Sequence, residues 1–167
     1  DFYGYRKAYS FMSGTRSPGR SPKRIPGRVK VRKRSMSIRC GVDMVEIERI
    51  RQSIDRCGES FIRRVFTDEE IRYCESRKNG RYESYAARFA AKEAVSKALG
   101  TGLAGGVTLK GIEMINEPGG KPMVHLYDTT LEHYQKMGGI SMDISLTHSR
   151  SYATAFAVIL TKDGEEP

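Results

Sequence analysis

The sequence predicts one domain that mixes helices with strands paired as antiparallel hairpins. Three observations carry this. Apolar residues alternate with polar ones near both ends of the ordered region, in IRCGVD and in ISMDISLT followed by YATAFAVIL. Between them the apolar residues switch to helical spacing, and the later strand candidates are joined by short turns that suit hairpins. At 167 residues, the chain is long enough for one core, with or without an arm.

In IRCGVD, Ile38, Cys40 and Val42 fall on one face of a short strand and Arg39, Gly41 and Asp43 on the other, with Asp43 expected at the strand's end. The segment MVEIERIRQSID follows, where Ile47, Ile50 and Ile54 recur at helical spacing. This predicts an amphipathic helix ending near Gly58, with Arg49, Arg51 and Arg56 off the apolar stripe, towards solvent or a partner. Phe66-Thr67-Asp68-Glu69-Glu70 has the form of a capping box, Thr67 as N-cap and Glu70 as its reciprocal half. A helix from there is expected to reach about Ser76, and RKNGR reads as the connecting turn.

The longest helical signal is YESYAARFAAKEAVSKALG, closed by Gly100. At 100° per residue, Ala86, Ala90, Glu93 and Lys97 share one face while Ala91, Val95 and Leu99 occupy the opposite one. Spacing alone leaves two readings of Glu93 and Lys97. They are either a surface i, i+4 ion pair, or a carboxylate and an ammonium on a floor of alanines small enough to admit a phosphorylated ligand. Further on, a strand is expected from Val107 to Asn116, a turn at Glu117 to Gly120, a second strand at MVHLY, and a short helix at LEHYQKMG. In the last hairpin, Ile140, Met142, Ile144 and Leu146 are expected on the buried face. His148 stands where the strand gives way to the turn, as a local hydrogen-bonding residue or a catalyst.

Charge separates the chain in two. The net charge is +9, yet residues 1–35 hold 11 of the 29 Lys and Arg with one acid, leaving 18 bases against 19 acids over residues 36–167. The first 35 residues have no helical or strand period and repeated Ser-Pro and Pro-Gly breakers, and are read as a basic disordered extension or linker. Three explanations stand beside one another: sequence upstream of a natural start at Met36, an Arg- and Ser-rich organellar transit peptide, or a phosphate-contacting arm acting through segments such as Ser21-Pro22-Lys23-Arg24. The domain is placed at residues 36–162, with 163–167 as a tail. The longest apolar-rich run, Tyr152 to Leu160, has nine residues, far short of the roughly 20 that span a bilayer. Cys40, Cys57 and Cys74 form no C-x-x-C pair, so neither a disulfide framework nor a structural zinc site is expected, and a reducing compartment, the cytoplasm, is.

The order of these blocks along the chain resembles the holo-acyl-carrier-protein synthases, the small bacterial type of 4′-phosphopantetheinyl transferase. The matching residues are Gly41-Val42-Asp43-Met44-Val45-Glu46-Ile47, Phe66-Thr67 with Glu70, and Ala87-Arg88-Phe89-Ala90-Ala91-Lys92-Glu93-Ala94 followed by Ser96-Lys97-Ala98. They continue with Gly100-Thr101-Gly102, Gly120-Lys121-Pro122, and Ser145-Leu146-Thr147-His148 followed by Tyr152-Ala153.

The resemblance implies an α+β fold, an antiparallel sheet packed with helices, assembled as a homotrimer with active sites between neighbouring subunits. It implies transfer of 4′-phosphopantetheine from coenzyme A to a serine of apo-acyl carrier protein, with release of adenosine 3′,5′-bisphosphate, in support of fatty acid biosynthesis. It further implies Mg²⁺ as cofactor, held by Asp43 and Glu93 with substrate phosphates and water completing the shell. Lys97 would offset charge on the leaving phosphate. The proton acceptor is open between a metal-bound water and His148, the latter weighted towards positioning the ligand. Arg88, Lys97, Gly100, Gly120, Lys121, Pro122 and His148 fall at coenzyme A positions, and Arg49, with Arg51 and Arg56 as extrapolations, at the face for an acidic carrier protein. One departure is Gly119, where the family turn often has Asn. Two other readings remain beside this one: a catalytically silent domain of the same type, and a nucleic-acid-binding protein acting through the basic arm.

Overall fold

The computed structural model describes residues 36–162; the expectations for the basic arm and the tail lie outside them. Among the described residues, five strands and five α-helices follow one another: β1 (Met36–Glu46), α1 (Ile47–Cys57), α2 (Glu59–Val65), α3 (Asp68–Ser76), α4 (Arg81–Ala98), β2 (Ile112–Asn116), β3 (Pro122–Leu126), α5 (Asp128–Lys136), β4 (Gly139–His148) and β5 (Tyr152–Lys162), with a short 3-10 turn, Lys78–Gly80, before α4. The strands form an antiparallel sheet in the order β1-β5-β4 and a separate β2–β3 hairpin. Helix α4 lies across β1 and β5, and α1 and α3 pack beside it. The class is therefore α+β. Among the described residues, no helix is long and apolar enough to cross a membrane.

The core forms between α4 and one face of the larger sheet. That face carries Val45 of β1, Ala153, Ala155, Ala157 and Ile159 of β5, and Ile144 of β4, all buried. Small residues on both sides bring helix and sheet close together. Gly41 shows why: a Cβ placed on it would stand 2.1 Å from the Ala94 carbonyl oxygen and 2.6 Å from the Ala98 nitrogen. Both obstacles are backbone, which cannot rotate away. Gly41→Ala is accordingly expected to destabilise the fold by about 1–3 kcal/mol or more, read as a lowered urea midpoint; an unchanged midpoint would mean that α4 slides freely on β1.

Several expectations need correction. Strand β1 does not stop at Asp43 but runs on to Glu46, because β5 pairs with it along all eleven residues, with Asp43 opposite Ala155. The alternation is as expected, and the row that packs is Gly41, Asp43 and Val45, with Arg39 before it exposed. Its apolar counterpart faces outward, with Ile38, Val42 and Met44 74%, 55% and 63% exposed. Ile140 is exposed as well, since a bulge between Gly139 and Ser141 takes it out of the alternation that buries Ile144. Ala86 and Ala90 are fully buried, so they serve packing and form no open floor for a ligand. The strand expected from Val107 begins only at Ile112; the Lys92 ammonium takes the Leu109 and Ile112 carbonyls as acceptors, and Val107 and Ile112 close local turns. Helix α2 was not anticipated. Gly58, at a positive φ of 57°, breaks the chain between α1 and α2, and Ile62 and Val65 bury the new helix.

The capping box at Thr67 is complete, with the Glu70 amide donating to Thr67 Oγ1 and the Thr67 amide to Glu70 Oε2. Helix α1 buries Ile47, Ile50 and Ile54 and is followed by Gly58, as its spacing requires.

Candidate active site

The close packing permitted by Gly41 sets the C-terminal half of α4 against the middle of β1. Asp43 projects from the packed row of β1, half-buried. Lys97 reaches it from α4, its Nζ 2.8 Å from Asp43 Oδ1 and 3.0 Å from the Val42 carbonyl oxygen. Glu93 lies one helical turn before Lys97 on the same face of α4. Burial is the main cause that raises the Glu93 carboxyl above its ordinary range; the Asp43 charge adds to this and the Lys97 ammonium opposes it. Two carboxylates and one ammonium thus share a partly sheltered spot.

These groups suit a divalent cation. Carboxylates are the hard oxygen donors that Mg²⁺ takes, and mutual repulsion between Asp43 and Glu93 is relieved by positive charge, a need that Lys97 partly meets. Among the described residues, no group of three or more His, Cys, Asp or Glu side chains is placed to hold a metal. A cation here would therefore draw the rest of its shell from substrate and water.

A second cluster lies towards the β2–β3 hairpin. Arg88 is only 4% exposed, with its guanidinium carbon 3.8 Å from the centre of the Tyr73 ring. Its Nη2 donates to Asn116 Oδ1 at 2.9 Å, and Asn116 Nδ2 donates to the Gly120 carbonyl at 3.2 Å. Two positions separated by more than thirty residues are thereby linked through Asn116, which sequence reasoning did not single out. Arg88 Nε is buried without a hydrogen-bond partner in this structure. Gly120 holds a φ of 85° in the turn that Pro122 follows into β3, while Lys121 pairs with Asp143 of β4 at 3.2 Å. Gly119 has open space around it, so the turn forms without an Asn there. Gly100, at φ 89°, closes α4.

Beneath both clusters runs a buried charged network. Lys92, with no exposed surface, lies 2.7 Å from Glu70 Oε2, itself fully buried. Glu70 Oε1 accepts from the Met114 amide, while Thr67 Oγ1 donates to Glu113, which also accepts from Tyr127. Burial would lift the Glu113 carboxyl, but the Thr67 and Tyr127 hydrogen bonds and the His125 and Lys92 charges hold it below its ordinary range. Burial draws Lys92 below the ordinary ammonium range, opposed chiefly by Glu70. Its three close neighbours, the Leu109 and Ile112 carbonyls and Glu70 Oε2, are all acceptors.

His148 is not brought to the Asp43 cluster within one chain. It ends β4 opposite Ala153, which in turn faces Val45. Sheet spacings put it two strands across and two residues along from Asp43, roughly 12 Å. On α1, Arg51 is engaged with Glu48 and Asp55 and lies 5.4 Å from the Tyr82 ring centre. Arg49 and Arg56 are exposed and have no ion pair among the described residues. An open groove of about 720 Å³ lies at the start of α1, lined by Glu46, Arg51, Tyr82, Glu83, Arg150 and Tyr152 among others; it is distinct from the carboxylate cluster.

Residues 39–157 match the sequence profile of the 4′-phosphopantetheinyl transferase superfamily. The chain belongs to that superfamily. Among its relatives, the holo-[acyl-carrier-protein] synthase of Ruminiclostridium cellulolyticum is 48% identical over 128 residues, 77% of this chain and 96% of the relative. That of Koribacter versatilis is 44% identical over 124 residues, covering 74% and 98%. The superfamily fold is equally plain in solved structures. The synthase of Bacillus anthracis, in complex with CoA (3′,5′-ADP), superposes with a TM-score of 0.63 at 33% identity, over 75% of this chain and 98% of that one.

Proposed function

We propose that this transferase is a holo-acyl-carrier-protein synthase, moving 4′-phosphopantetheine from coenzyme A to a serine of apo-acyl carrier protein in support of fatty acid biosynthesis. The observation that carries the reading is the convergence of Asp43, Glu93 and Lys97 in a chain 48% identical to a synthase of that name.

In this reading Asp43 and Glu93 hold Mg²⁺, which when bound supplies positive charge to the diphosphate of coenzyme A. The carrier serine oxygen forms a bond to the pantetheine-side phosphorus, and the bond to the departing adenosine 3′,5′-bisphosphate breaks. Lys97, half-exposed at the rim of the cluster, offsets charge on that leaving phosphate. Arg88, held by Tyr73 and Asn116, orients the nucleotide with the Gly120-Lys121-Pro122 turn and Gly100. His148, which lies away from Asp43 within one chain, would reach the ligand only from a neighbouring subunit, to position it or to accept the serine proton, for which a metal-bound water is the other acceptor.

The outward apolar row of β1, continued by exposed Phe156 on β5, suits self-association. A homotrimer covers it and lets a neighbour complete the site. The three cysteines test this. Cys74 is buried and its thiol is pushed up to about 12, chiefly by burial, so it resists alkylation in the native state. Cys57, exposed on α1, labels at once. Cys40, on the outward row, is expected to be protected in the assembled protein and to label when dilution separates the subunits; equal rates for Cys40 and Cys57 at all concentrations would remove the proposed interface.

The reaction is tested by intact-mass spectrometry of apo-acyl carrier protein after incubation with this chain, coenzyme A and Mg²⁺. A gain of one phosphopantetheinyl group, lost with EDTA, is expected. Bound coenzyme A without modification of carriers from several pathways would point instead to a silent domain. The basic face of α1 suits an acidic carrier: Arg49→Glu is expected to raise KM for the carrier about tenfold or more with little change for coenzyme A, as reversal of one interfacial charge does. An unchanged carrier KM would remove Arg49 from the docking face. With no membrane-crossing helix among the described residues and three unpaired thiols, the cytoplasm is the proposed place of work.

A further inference from the structure

The Lys97 ammonium satisfies Asp43. It lies 2.8 Å from Oδ1 and is held there by a second hydrogen bond to the Val42 carbonyl at 3.0 Å. Both acceptors belong to adjacent residues of a continuously paired strand, so the two are fixed relative to one another and together seat the ammonium.

We propose that Lys97 is an exchangeable counter-ion, occupying the cation's place beside Asp43 until a diphosphate draws it away. The inference rests on the transferase reading for the identity of the incoming ligand, but not for the exchange itself. A divalent cation arriving alone would have to displace the ammonium from Asp43 and leave it beside a like charge. When the cation arrives with a diphosphate, the phosphate oxygens give the ammonium a new partner, and Lys97 needs only to swing on a half-exposed side chain. Cation and diphosphate then bind with positive coupling. By linkage each tightens the other, by about 5- to 150-fold for coupling of ordinary size. Lys97 in this view makes cation binding conditional on substrate.

The test is titration of Mn²⁺ alone, followed through the loss of its free-ion paramagnetic resonance signal, against the full chain and two variants. Lys97→Met removes the charge while keeping much of the side chain's length, and Lys97→Arg retains the charge. Without coenzyme A, Lys97→Met is expected to bind Mn²⁺ at least about fivefold tighter than the parent, with Lys97→Arg close to the parent. Adding coenzyme A should tighten Mn²⁺ binding strongly in the parent and much less in Lys97→Met. A Lys97→Met affinity equal to or weaker than the parent's without coenzyme A would overturn the exchange. Carrier modification by the parent chain reports the transferase reading separately. If the carrier is modified and Mn²⁺ affinity does not rise in Lys97→Met, the exchange alone falls. A rise in affinity without carrier modification leaves the exchange standing and removes the transferase reading. Melting curves of both variants confirm that the comparison is between folded proteins.

Discussion

Replacing Glu93 by Gln should leave a folded protein that transfers phosphopantetheine at least about a hundredfold more slowly, the scale on which loss of one charge-stabilising group is felt in a transition state. The substitution keeps the shape of the side chain and removes its charge. Glu93 makes no side-chain hydrogen bond among the described residues, and its environment already penalises ionisation through burial and the Asp43 charge. Stability should therefore hold or rise slightly while activity falls. Steady-state rates with the carrier varied, together with a urea melt, separate the two. A variant that keeps half or more of the parent's activity would show that Asp43 suffices and that Glu93 is no part of the site.

The second large effect is expected at Lys92. Lys92→Met strips a buried carboxylate of its counter-ion, for which about 3–5 kcal/mol is the usual cost, and also leaves the Leu109 and Ile112 carbonyls without their donor. Glu70 cannot simply turn to water, since it has no exposed surface and its oxygens accept from the Thr67 and Met114 amides. A second change, Glu70→Gln, should recover part of the loss by removing the stranded charge while a carboxamide oxygen still serves one amide. Denaturant melts of the two single variants and the double form a closed cycle. Additive losses would mean that the 2.7 Å pair contributes nothing as a pair.

Much of the architecture was open to sequence reasoning because it rests on local rules. The Ile47, Ile50, Ile54 stripe, the Thr67–Glu70 box and the turn around Gly120 each follow from the spacing of a few neighbouring residues. The site was legible in a different way: Asp43, Glu93 and Lys97 stood out through resemblance in motif order, whereas spacing alone left Glu93 and Lys97 as a possible surface pair.

What stayed hidden depends on contacts between distant segments. Alternation in β1 gives two faces but not which one meets a helix, and Gly41 decides it by admitting backbone where a larger side chain would not fit. Lys92 and Glu70 are charged residues on helices, which in sequence look like solvent-facing groups; only the fold reveals that they share a dry interior. The distance between His148 and Asp43 was equally invisible, since it is set by β5 standing between their strands.

That central place of β5 governs how the molecule can come into being. The first described strand finds its partner in the last one: Thr161 Oγ1 donates to the Ser37 carbonyl across 124 positions of sequence. During synthesis, β1 and α4 emerge long before the strand on which both depend. Their paired surfaces, Gly41 to Val45 on one side and the alanines of α4 on the other, must wait without a finished core. Closure is deferred until the C-terminal segment leaves the ribosome, and the loop that must then close is nearly as long as the domain. Such pairing is slow for its size, and the waiting chain exposes an unpaired strand edge. A chain stopped before residue 152 would lack the strand that joins β1 to β4.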